Sequence, residues 1–333
     1  MTSPGSIWPW VALQGARSMS VAELAEISTR LSIGEPQAFR NLTVVPLLDP
    51  QAPSSGFLVL DEALAGGVTE VTEISESGSV PQLRLLNRGD KEVFLLDGEE
   101  LAGAKQNRIL NLSILVPERS DLEIPVSCVE QGRWSWRGRG FSGTERVIYS
   151  RLRRRNSEAV SASLDSFHSP RGDQGQVWDD IAAKSDRMSV HSDTGAASAL
   201  FERHRADLEE FVSGIAAAPA QVGAAFLVDG RLAGLDLLAG PDLLARLLPK
   251  LVRSYALDAI EEAEPALQVG KGTAHGVDAV RAALRAVPEM SAKRHRSVGR
   301  GHDLRLEGGG LVGGALIAEG ALIHLGLWST AYA

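Results

Sequence analysis

A chain of 333 residues, 44% of them hydrophobic, can bury a sizeable core and divide into about one to three domains. Its formal charge of −8 argues against whole-molecule attraction to nucleic acid or an anionic membrane, and its one cysteine, Cys128, excludes an intrachain disulfide. No apolar run reaches the roughly 18 residues that span a bilayer, and the N-terminus lacks the charged and apolar regions of a secretory signal, so the expected compartment is the cytoplasm.

In chain order, residues 1–38 read as an N-terminal helical segment. Ser20 caps a turn through Val21, Leu24, Ile27 and Leu31, Glu23 stands in the capping-box position, and Gly34 and Pro36 end the helix. Residues 39–150 read as a β-rich domain built from short runs such as LTVVPLL, GFLVLDEAL, VTEVTEI, EVFLLDG, RILNLSILVP and DLEIPVSCV. Without helical patterns between them, these runs predict an antiparallel β-sandwich or barrel.

Past Trp136 the texture changes. Between Gln131 and Arg155 stand eight arginines against one acid, Glu145, with Trp134, Trp136, Phe141 and Tyr149 interleaved. Residues 156–176 are rich in Ser, Gly and Asp, which marks 151–178 as a flexible linker or loop. Residues 179–333 then read as a mixed α+β domain. A helix carries Leu200, Leu208 and Phe211, Asp229-Gly230 marks a hairpin, and a helix from Pro241 is expected to kink or split at Pro249. Another helix runs through Val277 and Leu284 to Pro288, and about three closing strands follow between Arg294 and Trp328. The fold class expected is α+β, an N-terminal β-sandwich or barrel-like domain followed by a mixed α+β domain.

Residues 94–133 gather acid, amide, base and the cysteine into forty positions. Asp97, Glu99 and Glu100, with Glu130 and Gln106 as further oxygen donors, have the chemistry to hold a divalent cation, the one cofactor these residues suggest. Strand alternation, however, puts Asp97 and Glu99 on one face and Glu100 on the other, and the plainer reading is a turn at Asp97-Gly98 with solvated glutamates. Lys105 and Arg108 suit an anion, and their plainer role is pairing with Glu99 or Glu100. Cys128 to Arg133 has the length of a rhodanese-type anion loop, but no helical period follows it, and Cys128 falls in an apolar row with Leu122, Ile124 and Val126, as an inert core thiol would. The seven histidines are too scattered for a zinc motif. Arginine beside tryptophan suits phosphate contact with base stacking, but the negative total charge weighs against nucleic acid and for a solvated loop or an interface.

The segments LLDGEELAGAKQNRILNLSILVP (95–117), LEIPVSCVEQGRW (122–134) and PKLVRSYALDA (249–259) resemble the bacterial family named for its association with ADP-ribosylglycohydrolase and rhodanese-phosphatase proteins. The resemblance implies genomic company with ADP-ribose or phosphate metabolism in stress or conflict systems and carries no reaction with it. The leading expectation is recognition of a small anionic ligand, a nucleotide or ADP-ribose derivative. Lys105, Arg108 and Arg133 supply charge, Gln106, Asn107 and Gln131 orient the ligand, and Glu130 lies among them. The alternatives are a metal-assisted hydrolase using Asp97, Glu99, Glu100 or Glu130, and a scaffold whose tryptophans and arginines meet a protein partner or a second copy.

Overall fold

The computed structural model describes residues 24, 26, 30–76, 78–263 and 273–332. Most of the helix expected before Gly34 lies outside the described residues. Among them, the strands pair into three sheets. The largest has nine strands, with the path Ser32–Ile33, Leu42–Leu48, Gln221–Val228, Arg231–Leu238, Ala321–Ser329, Leu311–Ala318, His302–Gly308, Ser291–Arg296, and Gln37–Phe39 added beside Leu42–Leu48. Its centre is the hairpin of Gln221–Val228 and Arg231–Leu238. Asp229 (φ 48°) and Gly230 (φ 74°) both turn left-handed, as a two-residue turn matching strand twist requires. Gln221–Val228 is buried along its whole length, which explains why it reads as a continuous apolar run rather than an alternation.

Six strands form the second sheet, in the order Phe141–Val147, Glu99–Gly103, Arg108–Leu110, Ser120–Cys128, Gln82–Asn87, Thr69–Glu73. Ile114–Val116, Val93–Leu95 and Leu58–Val59 make the third, the last pair running parallel. The fold is α+β. The run expected as one strand from Gly56 to Leu64 turns instead into the helix Leu60–Ala65, which buries Leu60 and Ala63. Four strands close the chain rather than three, because Ser291–Arg296 pairs as an exposed, charged edge on His302–Gly308.

Two expectations about organisation give way. Leu42–Leu48, from the first half, pairs with Gln221–Val228 from the second, so the large sheet draws on both sides of the expected boundary. The segment expected as a linker is helical, with Ser150–Phe167 and Gln174–Arg187 joined by a short loop. The buried face of Ser150–Phe167 carries Leu152, Val160 and Leu164 at helical spacing, but also Arg153, Arg154, Asn156 and Ser157. Those polar groups find partners inside the protein, which hides the periodicity from hydropathy. The helix Pro241–Glu262 runs unsplit through Pro249 and lies on the large sheet, where Tyr255 stacks on Phe226 at 3.9 Å between ring centroids. Among the described residues no helix is long and apolar enough to cross a membrane.

Candidate functional site

The three carboxylates of the DGEE segment leave the chain in different directions. Glu99 caps its own turn by accepting from the Leu96 N–H (2.8 Å), and its other oxygen meets Lys250 at 2.7 Å. Glu100 accepts from Asn107 (3.1 Å) and pairs with Arg146 at 2.7 Å. Asp97 meets Arg153 and Ser113. Each is neutralised by its own cation, and the expected grouping of Asp97, Glu99 and Glu100 around one metal is not brought together. Asp97 and Glu99, expected on one face, separate because Asp97 lies in the turn before the strand Glu99–Gly103, and both glutamates are buried and paired rather than solvated. Gly98 between them has φ 78°, and a β-carbon there would stand 2.9 Å from Arg153 Cγ, so the turn admits only glycine.

Among the described residues, the one trio of potential metal ligands within 4.8 Å is Asp97, Asp236 and His324. A guanidinium already holds it. Arg153 Nη2 donates to Asp236 (2.8 Å) and Asp97 (3.0 Å), with Trp328 stacked 5.0 Å from the cation. Burial alone would push the Asp236 carboxyl up, but Arg153 and His324 outweigh it and hold it at about 2. His324 lies between Asp236 (Nε2, 3.1 Å) and Ser113 (Nδ1, 2.9 Å), a serine–histidine–aspartate chain that sequence spacing could not disclose. The crevice beside it measures about 20 Å³, room for about one water molecule and not for a substrate. We read this network as the polar tie between the helix Ser150–Phe167 and the sheets on either side of it.

The segment 104–108 and the QGRW segment face each other. Arg133 clamps them. Its Nε donates to Glu130 (2.8 Å), Nη1 to the carbonyls of Ala104 and Ser135 (2.8 and 2.9 Å), and Nη2 to the Gly103 carbonyl and Asn107 Oδ1 (3.2 and 3.1 Å). A guanidinium has five N–H groups, and these five acceptors use them all. Arg133, expected to supply charge to a ligand, therefore has no donor left for one. Glu130 is likewise committed, to Arg133, the Thr194 hydroxyl and the Asn107 N–H. These hold its carboxyl below the usual range although burial opposes them. Asn107 spends its amide on Glu100 and its oxygen on Arg133, while Gln131 offers its carbonyl to Gln106 and is itself exposed.

Lys105 and Arg108 differ from these. Lys105 as a whole is 7% exposed, and among the described residues its ammonium makes no ion pair or hydrogen bond; it lies 5.2 Å from the Trp134 ring and 5.0 Å from the Trp136 ring. Beneath Trp134, Arg108 is wholly buried and donates only Nη1, to Gln106 (3.1 Å). Its Nε and Nη2, the pair on one edge of the guanidinium, have no hydrogen-bond partner, and neither oxygen of Glu73 has one either, although Arg108 and Glu73 stand 3.7 Å apart. Burial lowers the Arg108 pKa from the ordinary arginine value. Gly78 (φ 77°) closes the edge of the site, where a β-carbon would touch Trp134, Lys105 and Glu73 at 3.1 to 3.4 Å. Five large hydrophobic side chains are exposed among the described residues. Four of them, Ile74, Val80, Trp134 and Trp136, belong to the two loops that meet here.

Cys128 ends the strand Ser120–Cys128 beside Arg108, its backbone held by Gln174 and its sulfur against the Val80 carbonyl. Burial pushes the thiol up to about 11, against the opposing pull of Arg108. At neutral pH it is protonated and sterically covered, so it should react slowly with iodoacetamide in the native protein and rapidly in denaturant. Cys128→Ala should cost roughly 1 kcal/mol. Rapid native alkylation would make Cys128 an accessible thiolate and contradict this packing.

The arginine-rich stretch does not form a basic patch. Arg146 pairs with Glu100 and Glu202, Arg151 with Glu261 and Glu262, Arg155 with Asp180, and Arg154 donates to the carbonyls of Ser329 and Thr330. What remains at the surface is the Trp134–Arg139 turn. Glu73, Asp236 and His324 carry no local motif, since each is placed by a strand outside the DGEE segment, and Ser113 stands between two short strands within residues 95–117.

No curated protein and no solved structure matches the chain. Residues 30–328 match the ARG and Rhodanese-Phosphatase-superfamily-associated Protein domain, a span that includes all three sheets but for the final residue of one strand and holds every residue of the Lys105 site. The chain belongs to that family.

Proposed function

We propose that the protein recognises a small anionic ligand bearing a planar ring, a nucleotide or an ADP-ribose derivative, at Lys105 and Arg108 beneath Trp134 and Trp136. The observation that carries this reading is Lys105, a residue 7% exposed whose ammonium has two indoles for neighbours and no ion pair among the described residues. A cation set between two indoles without a carboxylate partner is completed by an anion that reaches it. The Nε–Nη2 edge of Arg108 supports the same reading: Glu73 stands 3.7 Å away without a hydrogen bond to it, and two parallel N–H groups suit a phosphate or carboxylate. Exposed indole faces suit a base or other flat ring. Within that class, ADP-ribose derivatives are the ligands that the sequence resemblance implies through genomic association alone.

Thermal shift with inorganic phosphate, ADP-ribose and the common nucleoside phosphates tests it. A ligand that binds only the folded state raises the melting temperature by mass action, and Lys105→Met should abolish the rise. The absence of any shift at millimolar concentration across the panel would count against the reading. The four exposed apolar side chains also suit a protein partner or a second copy of the chain. A dimer in solution that Trp134→Ser disperses would favour that alternative.

A further inference from the structure

A concavity lies apart from the Lys105 site, between the loop 49–57, the hairpin end at 318–323 and the Arg300 turn. Its volume is about 520 Å³, within the range of small-molecule sites. Phe57, Leu115, Leu238, Ala239, Leu322 and Ile323 give it an apolar interior. Its charged groups are out of balance. Arg30 and Asp49 neutralise each other at 3.5 Å. Arg300, in contrast, serves three carboxylates at once: Glu92 at 2.5 Å, Glu118 at 2.9 Å and Glu319 at 3.4 Å. Two of the three, Glu92 and Glu319, line the cavity, and one guanidinium shared among all three cannot neutralise them, so negative charge is left over beside an apolar chamber. Burial raises the Glu92 pKa, Glu118 and Glu319 add to that rise, and Arg300 opposes it.

We propose that this cavity is a second binding site, for an organic cation whose apolar body fills the chamber and whose ammonium lies beside Glu92 and Glu319. The assignment is independent of the Lys105 site. It rests on shape and charge together. An apolar anion of the same length would gain the same burial but face the surplus carboxylates. A hydrophilic cation would meet the charge and leave the interior unfilled.

Calorimetric titration of the full chain with octylamine and with octanoate separates the possibilities. Octylamine should bind saturably at one site per chain, and octanoate roughly tenfold or more weakly, as expected where a partly desolvated charge decides between two ligands of equal apolar area. Leu322→Trp, which fills the chamber, should abolish octylamine binding, and Glu92→Gln combined with Glu319→Gln should weaken it by a similar factor. Lys105→Met should leave it unchanged, so failure of one site is not failure of the other. Equal affinity for the two amphiphiles, no octylamine binding, or octylamine binding that survives Leu322→Trp would overturn the proposal. If either variant fails to fold, the comparison of octylamine with octanoate on the wild-type protein still decides it.

Discussion

Arg153→Met should lower the unfolding free energy by roughly 3–5 kcal/mol, a large part of the roughly 5–15 kcal/mol that holds an ordinary domain together. Arg153 is fully buried and bridges Asp97 to Asp236, and among the described residues no other cation of fixed charge stands within ion-pair distance of Asp236. Methionine fills much of the volume, so the loss is electrostatic rather than a cavity. It leaves a carboxylate with no access to water, held only by His324 and a long contact from Tyr255 at 3.4 Å. The variant must either bury an unpaired charge or protonate Asp236, which sits at about 2 in the wild type. Urea denaturation reads the change as a lowered midpoint at unchanged slope. A loss under about 1 kcal/mol would show that the network is not what ties the helix Ser150–Phe167 to the sheets.

Arg133→Met should also destabilise, by roughly 3–4 kcal/mol, while Lys105→Met should change stability by less than about 1 kcal/mol. The contrast follows from what each side chain leaves behind. Without Arg133, three carbonyls lose a buried donor and Glu130 keeps only the Thr194 hydroxyl and the Asn107 N–H. Without Lys105, no hydrogen bond or ion pair among the described residues is lost, and two partly exposed indoles exchange an ammonium for a thioether. The two lysine and arginine positions look equivalent in the sequence, yet one belongs to the fold and the other to the surface it presents. Parallel melts of both variants measure the difference, and comparable losses would contradict the division.

How much of this could be read beforehand depended on how local the physics is. The Asp229-Gly230 turn was legible because two left-handed residues between apolar runs leave few alternatives. The helix Ser150–Phe167 was not, because Arg153, Asn156 and Ser157 occupy core-facing positions that hydropathy scores as solvent. The contribution of Leu42–Leu48 to the large sheet was equally hidden, since nothing in its own residues names a partner some 180 positions away. The concentration of chemistry from Asp97 to Arg133 was visible, but its division of labour was not. Asn107, Glu130 and Arg133 turn inward onto one another, and Asp97, Glu99 and Glu100 onto Arg153, Lys250 and Arg146. Glu73 could not be anticipated, because only the pairing of the strands brings it under Lys105 and Arg108.

The most direct test is calorimetric titration of the purified protein and its Lys105→Met variant with ADP-ribose and with nucleoside phosphates. The caged ammonium predicts saturable binding of at least one of them at about one equivalent per chain. It also predicts an affinity at least about tenfold lower in the variant at an unchanged melting temperature. Equal affinity in the two proteins, or no binding of any phosphate-bearing compound up to millimolar concentration, would contradict it.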